Sequence, residues 1–307
     1  MKKTKTIAVL MGGWNGEREV SLASGEKVAT ALEKAGYQTI SIDVSRDLQK
    51  LIEKLKPAPD VVFNALHGRW GEDGHIQGVL EIMKIPYTSS GVMSSALAMN
   101  KPTAKTLFQA AGIHCPKGFV TDVEAVLKKD PMPKPYVLKP LEEGSSIGVA
   151  VIQTDEDLKK WHKNWKYGSR VMVEEYIDGR EIQVAVIGNA AIGAIEIKPK
   201  QGFYDYEAKY TEGKAEHIMP APLPEEDYQE VLDLALKAHN CLNCFGVSRA
   251  DFRYNNKNEK GKRFYILEVN TQPGMTPLSL LPEIAAHQGM PFEKLLEWMV
   301  ENPKCPD

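Results

Sequence analysis

The sequence predicts an α/β fold, with a helix-covered parallel sheet in its first third and two mixed α+β units after it. Three observations carry this. Short apolar runs at 7–11, 39–44 and 61–66 alternate with stretches of helical periodicity, the pattern of a parallel sheet packed between helices and hence of a Rossmann-like half domain. The middle third holds short strand-like runs around a Gly/Ser loop at 142–148 and one amphipathic helix. The last third carries two hairpin signals, Gly188-Asn189 and the polar turn 255–261.

Taken in order, residues 7–11 read as a buried strand, and Val20, Ala23, Val28, Ala31 and Leu32 recur at roughly helical spacing up to Gly36, a C-cap residue. A strand at 39–44 precedes a helix at 47–55 that Pro57 and Pro59 stop. A third strand at 61–66 and a helix at 76–83 complete the unit. Gly12-Gly13 and His67-Gly68 stand at strand C-termini, where ligands sit in such sheets. Helix 103–111, strands 136–139, 149–153 and 170–176, and helix 155–165 make the middle unit. Strands at 181–187 and 191–197 lead to a long polar and aromatic loop at 198–216; so long a loop in a compact domain is usually functional or disordered. A helix from 225 to about 240, strands at 245–254 and 262–270, and a helix at 292–300 follow.

Composition narrows the function classes. The 307 residues suggest two domains, or three small ones. A net charge of −3 with 26% charged residues points to neither a nucleic-acid nor a membrane surface. Apolar runs of about eight residues fall short of the about 20 that a span needs. The run after Lys5 stops at Gly12-Gly13 with no small-residue cleavage pattern, so no signal peptide is expected. Cys241 and Cys244 have Cys-x-x-Cys spacing but close a helix and lack a second pair; they read as small buried thiols, and cysteine usage fits a reducing cytosol.

Strand alternation then picks out a candidate site. Arg249, Asp251 and Arg253 share one face of their strand, and Glu268 and Asn270 share one face of the next. Antiparallel pairing across the turn can bring Asp251 and Glu268 together. Two carboxylates and an amide are hard oxygen ligands suited to Mg²⁺ or Mn²⁺ with nucleotide phosphates completing the shell. The same spacing also fits a solvated hairpin face with cross-strand ion pairs. Lys139 ends a strand just before the Gly/Ser loop, whose small residues would let backbone N–H groups approach phosphates. That loop does not match the Walker pattern. Lys101 before Pro102 is a second candidate phosphate cation, or a surface lysine.

Together these stretches resemble the ATP-grasp superfamily and, within it, the D-alanine–D-alanine ligases. The matching segments are Gly12-Gly-Trp-Asn-Gly-Glu17-Arg-Glu-Val-Ser21, Ala65-Leu-His67-Gly-Arg, Gly71-Glu-Asp-Gly74, Tyr87-Thr-Ser-Ser-Gly-Val92, Lys139-Pro with Glu143-Gly-Ser-Ser146, Phe203-Tyr-Asp-Tyr-Glu-Ala-Lys-Tyr210 and Asn270-Thr-Gln-Pro-Gly-Met-Thr276. Seven such segments, in order and at family spacing, are specific where each alone is not. The resemblance implies a Rossmann-like domain at 1–95 and a two-lobed ATP-grasp part, with a central lobe at 96–178 and a C-terminal lobe at 179–307.

Carried over residue by residue, the resemblance implies that Glu17 receives the first D-alanine's ammonium group and that His67 stands in that pocket, as a contact or as a support. It implies phosphate contacts for Lys101, Lys139 and Lys209, an adenine hinge at Glu174, Glu175, Tyr176 and Ile177, and a ribose contact for Glu181. Ser145 would tie the glycine loop to the active site, and Asp251, Glu268 and Asn270 would hold two Mg²⁺ or Mn²⁺ ions. Arg249 and the Gly274 N–H would face the oxyanion, and Ser279 and Leu280 the second substrate's carboxylate. The loop 201–214 would be a lid, or a loop packed on its own domain, with Tyr210 selecting a D-alanine amine. Gln272, Pro277-Leu278 and Glu175 depart from common family residues. The implied reaction joins two D-alanines through an acyl phosphate at the expense of ATP, in a bacterial cytoplasm and as a homodimer. Two other readings compete. One is a related ligase using D-lactate or D-serine as second substrate. The other is a dinucleotide-dependent oxidoreductase, suggested by Gly12, Gly13 and Gly16, whose spacing misses the Gly-x-Gly-x-x-Gly fingerprint.

Overall fold

A computed structural model describes residues 3–144, 146–200, 214–276 and 279–305. The chain begins with β1 (Thr6–Gly12), α1 (Arg18–Lys34), β2 (Gln38–Val44), α2 (Leu48–Lys54), β3 (Val61–Asn64) and α3 (His75–Ile82). The strands form a parallel sheet in the order β2-β1-β3. Asp47 caps α2 by accepting the Lys50 N–H, so the Pro-terminated helix starts where its acid allows.

Two helices follow, α4 (Val92–Met99) and α5 (Lys101–Ala110), then β4 (Gly118–Asp122), α6 (Val123–Lys128), β5 (Tyr136–Lys139), β6 (Ala150–Ile152), α7 (Asp155–Asn164) and β7 (Arg170–Glu175). Here the strands pair antiparallel in the order β4-β7-β5-β6. Helix α7 opens with a reciprocal capping box between Thr154 and Asp157. The sequence reading misses α4, β4 and α6, and starts α5 two residues late. Asn100 is the true cap of α5: its side chain accepts the Thr103 N–H, and Lys101 becomes the first helical residue.

The last part holds β8 (Arg180–Ile187), β9 (Ala190–Pro199), β10 (Ala215–Ile218), α8 (Glu225–Cys241), β11 (Val247–Tyr254), β12 (Phe264–Asn270), α9 (Leu280–His287) and α10 (Phe292–Glu301). Its antiparallel sheet runs β10-β9-β8-β11-β12. The expected loop at 198–216 is shorter at both ends, because β9 reaches Pro199 and β10 begins at Ala215. Residues 201–213 of it, with Lys209 and Tyr210, lie outside the described residues, as do Ser145, Pro277 and Leu278.

The parallel sheet buries both faces, and the large antiparallel sheet carries buried apolar side chains on both of its own. Ile182, Val184 and Val186 of β8 join Ala250 and Phe252 of β11 and Ile266 and Val269 of β12 in a core closed by α8 and α5. A second core mixes the first and last segments: Ile7, Val9 and Phe63 pack with Leu281, Ile284, Leu295 and Met299. Helices α9 and α10 thus tie the parallel sheet to the large antiparallel one. Cys115, Cys241, Cys244 and Cys305 are free thiols, and burial pushes those of Cys115 and Cys244 up, to about 11 and about 12.

His239, at the end of α8, is buried beside the Ser248 hydroxyl, its Nδ1 2.7 Å from Oγ. Burial lowers its pKa from 6.5 to about 4. Unfolded chain therefore takes up this proton before folded protein does. The stability it protects is complete above pH 6.5 and is lost as pH falls toward about 4, a change of about 3 kcal/mol. In urea unfolding followed across that window, His239→Gln is expected to lose this component of the acid slope. An unchanged difference between pH 7 and pH 4 would refute it.

Candidate active site

The polar face of the large sheet carries the site. Register places Asp251 opposite Glu268 on one side and Gln183 on the other. One step along, Arg249 pairs with Asn270; one step back, Arg253 pairs with Glu181. A bulge after Asp251 sets Phe252 opposite Ile266 and leaves Leu267 as the extra residue. It keeps Ile266 on the apolar face and Glu268 on the polar one, since two residues on β12 then match one on β11. The polar face consequently presents Glu181, Gln183, Arg249, Asp251, Glu268 and Asn270 in one patch.

Within it, Arg249 forks onto Asp251, with Nε 2.7 Å from Oδ1 and Nη2 3.0 Å from Oδ2. Glu268 lies 3.6 Å from the Lys101 ammonium. Each metal-type carboxylate is thus faced by a cation. The Asn270 amide oxygen accepts the Gln272 N–H at 2.9 Å and has a second lone pair left.

Lys101 and Lys105 stand one turn apart on α5 and are both buried. Lys101 donates to the Glu143 carbonyl at 2.5 Å, which anchors the glycine loop. Burial raises the pKa of Glu143 itself. Lys105 reaches Glu174, which also binds Lys139, at 2.6 and 2.5 Å. Burial opposes the charge on Glu174, and Lys139 and Lys105 more than reverse it, so its pKa is lowered.

Glu17 enters from the parallel sheet, just before α1. Its carboxylate is cradled by glycine: a Cβ on Gly68 would lie 2.1 Å from Oε2, and one on Gly144 3.2 Å. Gly68 also has φ +65, so this position excludes a side chain twice over. Asn15 braces the corner, accepting the Glu17 N–H and donating to the His67 and Arg69 carbonyls. Both His67 ring nitrogens are engaged, Nε2 with Ser24 at 3.1 Å and Nδ1 with Glu72 at 3.3 Å. Gly274 is constrained by space alone: a Cβ there would meet the Ser279 hydroxyl at 2.7 Å. That hydroxyl accepts the Thr276 N–H at 2.9 Å.

One cavity brings together Glu17, His67, Lys101, Arg249, Glu268, Asn270, Gly274, Ser279 and Leu280, all singled out from the sequence. An adjoining one shares Lys101 and Glu268 and adds Lys139, Glu181 and Asp251. The four hinge residues line neither. Glu174 is buried beneath, Glu175 accepts the Lys117 N–H, the Tyr176 ring stacks with Arg253, and the Ile177 carbonyl takes its Nε–H. Gln272 also turns away from the cavity, its amide donating to the Asn64 carbonyl, so it joins two sheets rather than shaping the pocket.

The sequence reading assigns no role to Lys105, Gln183, Glu72, Ser24 or Asn15. Spacing held one signal: Lys101 and Lys105 at i, i+4 on a helix with apolar neighbours. Nothing local distinguishes Gln183, which is fully buried, lines the cavity and leaves its Oε1 without a hydrogen-bond partner among the described residues.

Known proteins match along the whole chain. The D-ala D-ala ligase N-terminus model matches residues 48–90, and the D-ala D-ala ligase C-terminus model residues 107–301. The D-alanine--D-alanine ligase of Granulibacter bethesdensis is 49% identical over 302 residues, 98% of each chain. The D-alanine--D-alanine ligase B of Mesorhizobium japonicum is 50% identical over 99% of each. Among solved structures, the Bacillus anthracis D-alanine--D-alanine ligase complexed with ATP superimposes with a TM-score of 0.82 at 31% identity, over 98% of this chain and 97% of that one. The VanG D-Ala:D-Ser ligase of Enterococcus faecalis gives 0.80 at 29%, over 97% and 99%.

Proposed function

The chain belongs to the D-alanine–D-alanine ligase family, and from that premise we propose which of its residues carry each part of the reaction. It is an ATP-dependent enzyme of ATP-grasp fold that joins two D-alanines. Neither the oxidoreductase reading nor a D-lactate or D-serine acceptor is favoured, since relatives at 47–50% identity carry the D-alanine name.

The reading of the site rests on one observation: Glu17, Arg249 and Gly274 come from three distant segments and open into one cavity beside the carboxylates of the sheet. A carboxylate is a poor electrophile, so the first D-alanine is activated as an acyl phosphate, its carboxylate oxygen attacking the γ-phosphorus as ADP leaves. Glu17 holds that substrate's ammonium group, and His67, held by Ser24 and Glu72, forms the pocket wall. Lys101, Lys139 and Lys209 face the phosphates, with Ser145 on the glycine loop. Glu174 and Glu175 at the end of β7, with Tyr176 and Ile177 just beyond it, form the adenine edge, and Glu181 meets the ribose. The second D-alanine's amine then attacks the acyl carbon and phosphate departs. Arg249 and the Gly274 N–H stabilise the oxyanion. Ser279 and Leu280, at the N-terminus of α9, take the second carboxylate. Tyr210 and the segment 201–214, of which 201–213 lie outside the described residues, would serve as the lid that excludes water.

Asp251, Glu268 and Asn270 fit Mg²⁺ or Mn²⁺ because the donors are hard oxygens on adjacent strands, and the family resemblance implies two such ions. When bound, such ions neutralise phosphate charge. We further propose a boundary between the Rossmann-like and ATP-grasp parts near 95, lobes meeting near 178, a homodimer, and residence in the bacterial cytoplasm. No described helix is long and apolar enough to cross a membrane.

ADP release measured with D-alanine, L-alanine, D-lactate, D-serine and no acceptor tests the substrate. Release is expected with D-alanine alone. ADP formed equally without D-alanine, or faster in mixtures with D-serine than with D-alanine alone, would overturn the reading.

A further inference from the structure

Beneath the phosphate-facing edge lies a buried cluster in which one member, Lys105, has no part in the reaction above. Lys139 ends β5, and Glu174 lies on the neighbouring β7. Val137 is the direct partner of Glu174, so Lys139, two residues on, shares its face on the diagonal. Lys105 comes down from α5 and meets the other carboxylate oxygen. The three side chains are 10%, 1% and 6% exposed, and two ammonium groups share one carboxylate, leaving a net charge of +1.

A buried excess cation is costly unless an anion arrives to balance it. Lys139 alone of the three borders the cavity with Asp251 and Glu268. An incoming phosphate therefore competes with Glu174 for Lys139. Were Glu174 paired with Lys139 only, that competition would strand a buried carboxylate. With Lys105 in place Glu174 keeps a partner, and Lys139 can turn outward.

We propose that Lys105 is a positioning residue for nucleotide binding: it holds Glu174 charged and paired so that Lys139 can exchange its carboxylate for an ATP phosphate. The inference rests on the reading of Lys139 as a phosphate ligand. Lys105 touches no substrate; it acts through two neighbours. Burial lowers the pKa of Lys105 and Glu174 opposes that shift, in keeping with a pair that depends on its partner to stay charged.

The test is steady-state kinetics and ADP binding by titration calorimetry on Lys105→Met, Lys105→Arg, Lys105→Met with Glu174→Gln, and Lys139→Met. Lys105→Met should raise the ATP KM and the ADP Kd about 10–100-fold and leave the D-alanine KM within about threefold. Lys105→Arg should recover most of the loss. The double variant removes both charges, so Lys139 is no longer held back, and its ADP Kd should fall about threefold or more below that of Lys105→Met. Unchanged ADP affinity in a folded Lys105→Met protein would overturn the proposal. So would a double variant that is folded yet as weak as the single one, since that marks a packing role. Lys139→Met separates the premise from the inference: if it leaves ADP and ATP affinity unchanged, the phosphate reading of Lys139 fails first and the role of Lys105 falls with it.

Discussion

Replacing either sheet carboxylate, Asp251→Asn or Glu268→Gln, is expected to reduce turnover about 10³-fold at ordinary Mg²⁺ while the protein stays folded. The size follows from phosphate charge: a divalent ion at a reacting phosphate supplies several kcal/mol, and these isosteric changes remove one anionic ligand each. Folding should survive because both side chains sit on the polar face, while the core alternation of β11 and β12 is untouched. The cations now facing them sharpen the expectation. Asp251 is forked by Arg249, and Glu268 stands 3.6 Å from Lys101. Neutralising either acid therefore also leaves a cation with less compensation, so apparent ion affinity should fall together with kcat. Excess Mn²⁺ should recover part of the rate. A variant with near-normal turnover at limiting Mg²⁺ would refute the ligand assignment.

Arg249→Met should fall as far by a different route, with kcat down about 10²–10³-fold, the usual loss when one oxyanion donor is removed. Its signature is the reverse in metal dependence. Arg249 is the cation on Asp251, so its removal frees that carboxylate and the Mg²⁺ requirement should hold or improve. Arg249→Lys should recover little, because an ammonium cannot reproduce the fork. A Mg²⁺ requirement that rises in step with the loss of kcat would show that Arg249 serves only to place Asp251, and would remove it from the oxyanion.

Much of this site is legible in the chain because it hangs on strand alternation. Once 245–254 and 262–270 are read as antiparallel strands around a polar turn, a period of two puts Arg249 with Asp251 on one face and Glu268 with Asn270 on one face, while the bulge after Asp251 sets Asp251 opposite Glu268. The glycines are legible in another way. Gly68 approaches Glu17 so closely that a methyl group cannot enter, and Gly144 leaves only tight room for one; such positions leave a recognisable mark in sequence. Short elements are harder. Helix α4 is eight residues with no side-chain cap and little polar contrast, and α9 carries Pro282 in its first turn. Strand β4 is five residues with no buried position. None offers enough periodicity to outweigh the alternatives: α4 and α9 form because neighbours pack on them, and β4 because β7 pairs with it.

By itself, then, the sequence determined the strands of three sets except β4 and β10, the polar residues of the last hairpin, the order of the motifs and through them the family. Tertiary structure alone decided which side chains meet. No spacing rule brings Lys105 to Glu174 across 69 positions, or carries the Gln272 amide from the expected substrate pocket to the Asn64 carbonyl. Likewise only packing places Gln183, fully buried, opposite Asp251. The physical reason is range. Alternation and capping are set by backbone geometry over a few residues, whereas a buried charge finds its partner wherever the closed core leaves no water to replace it.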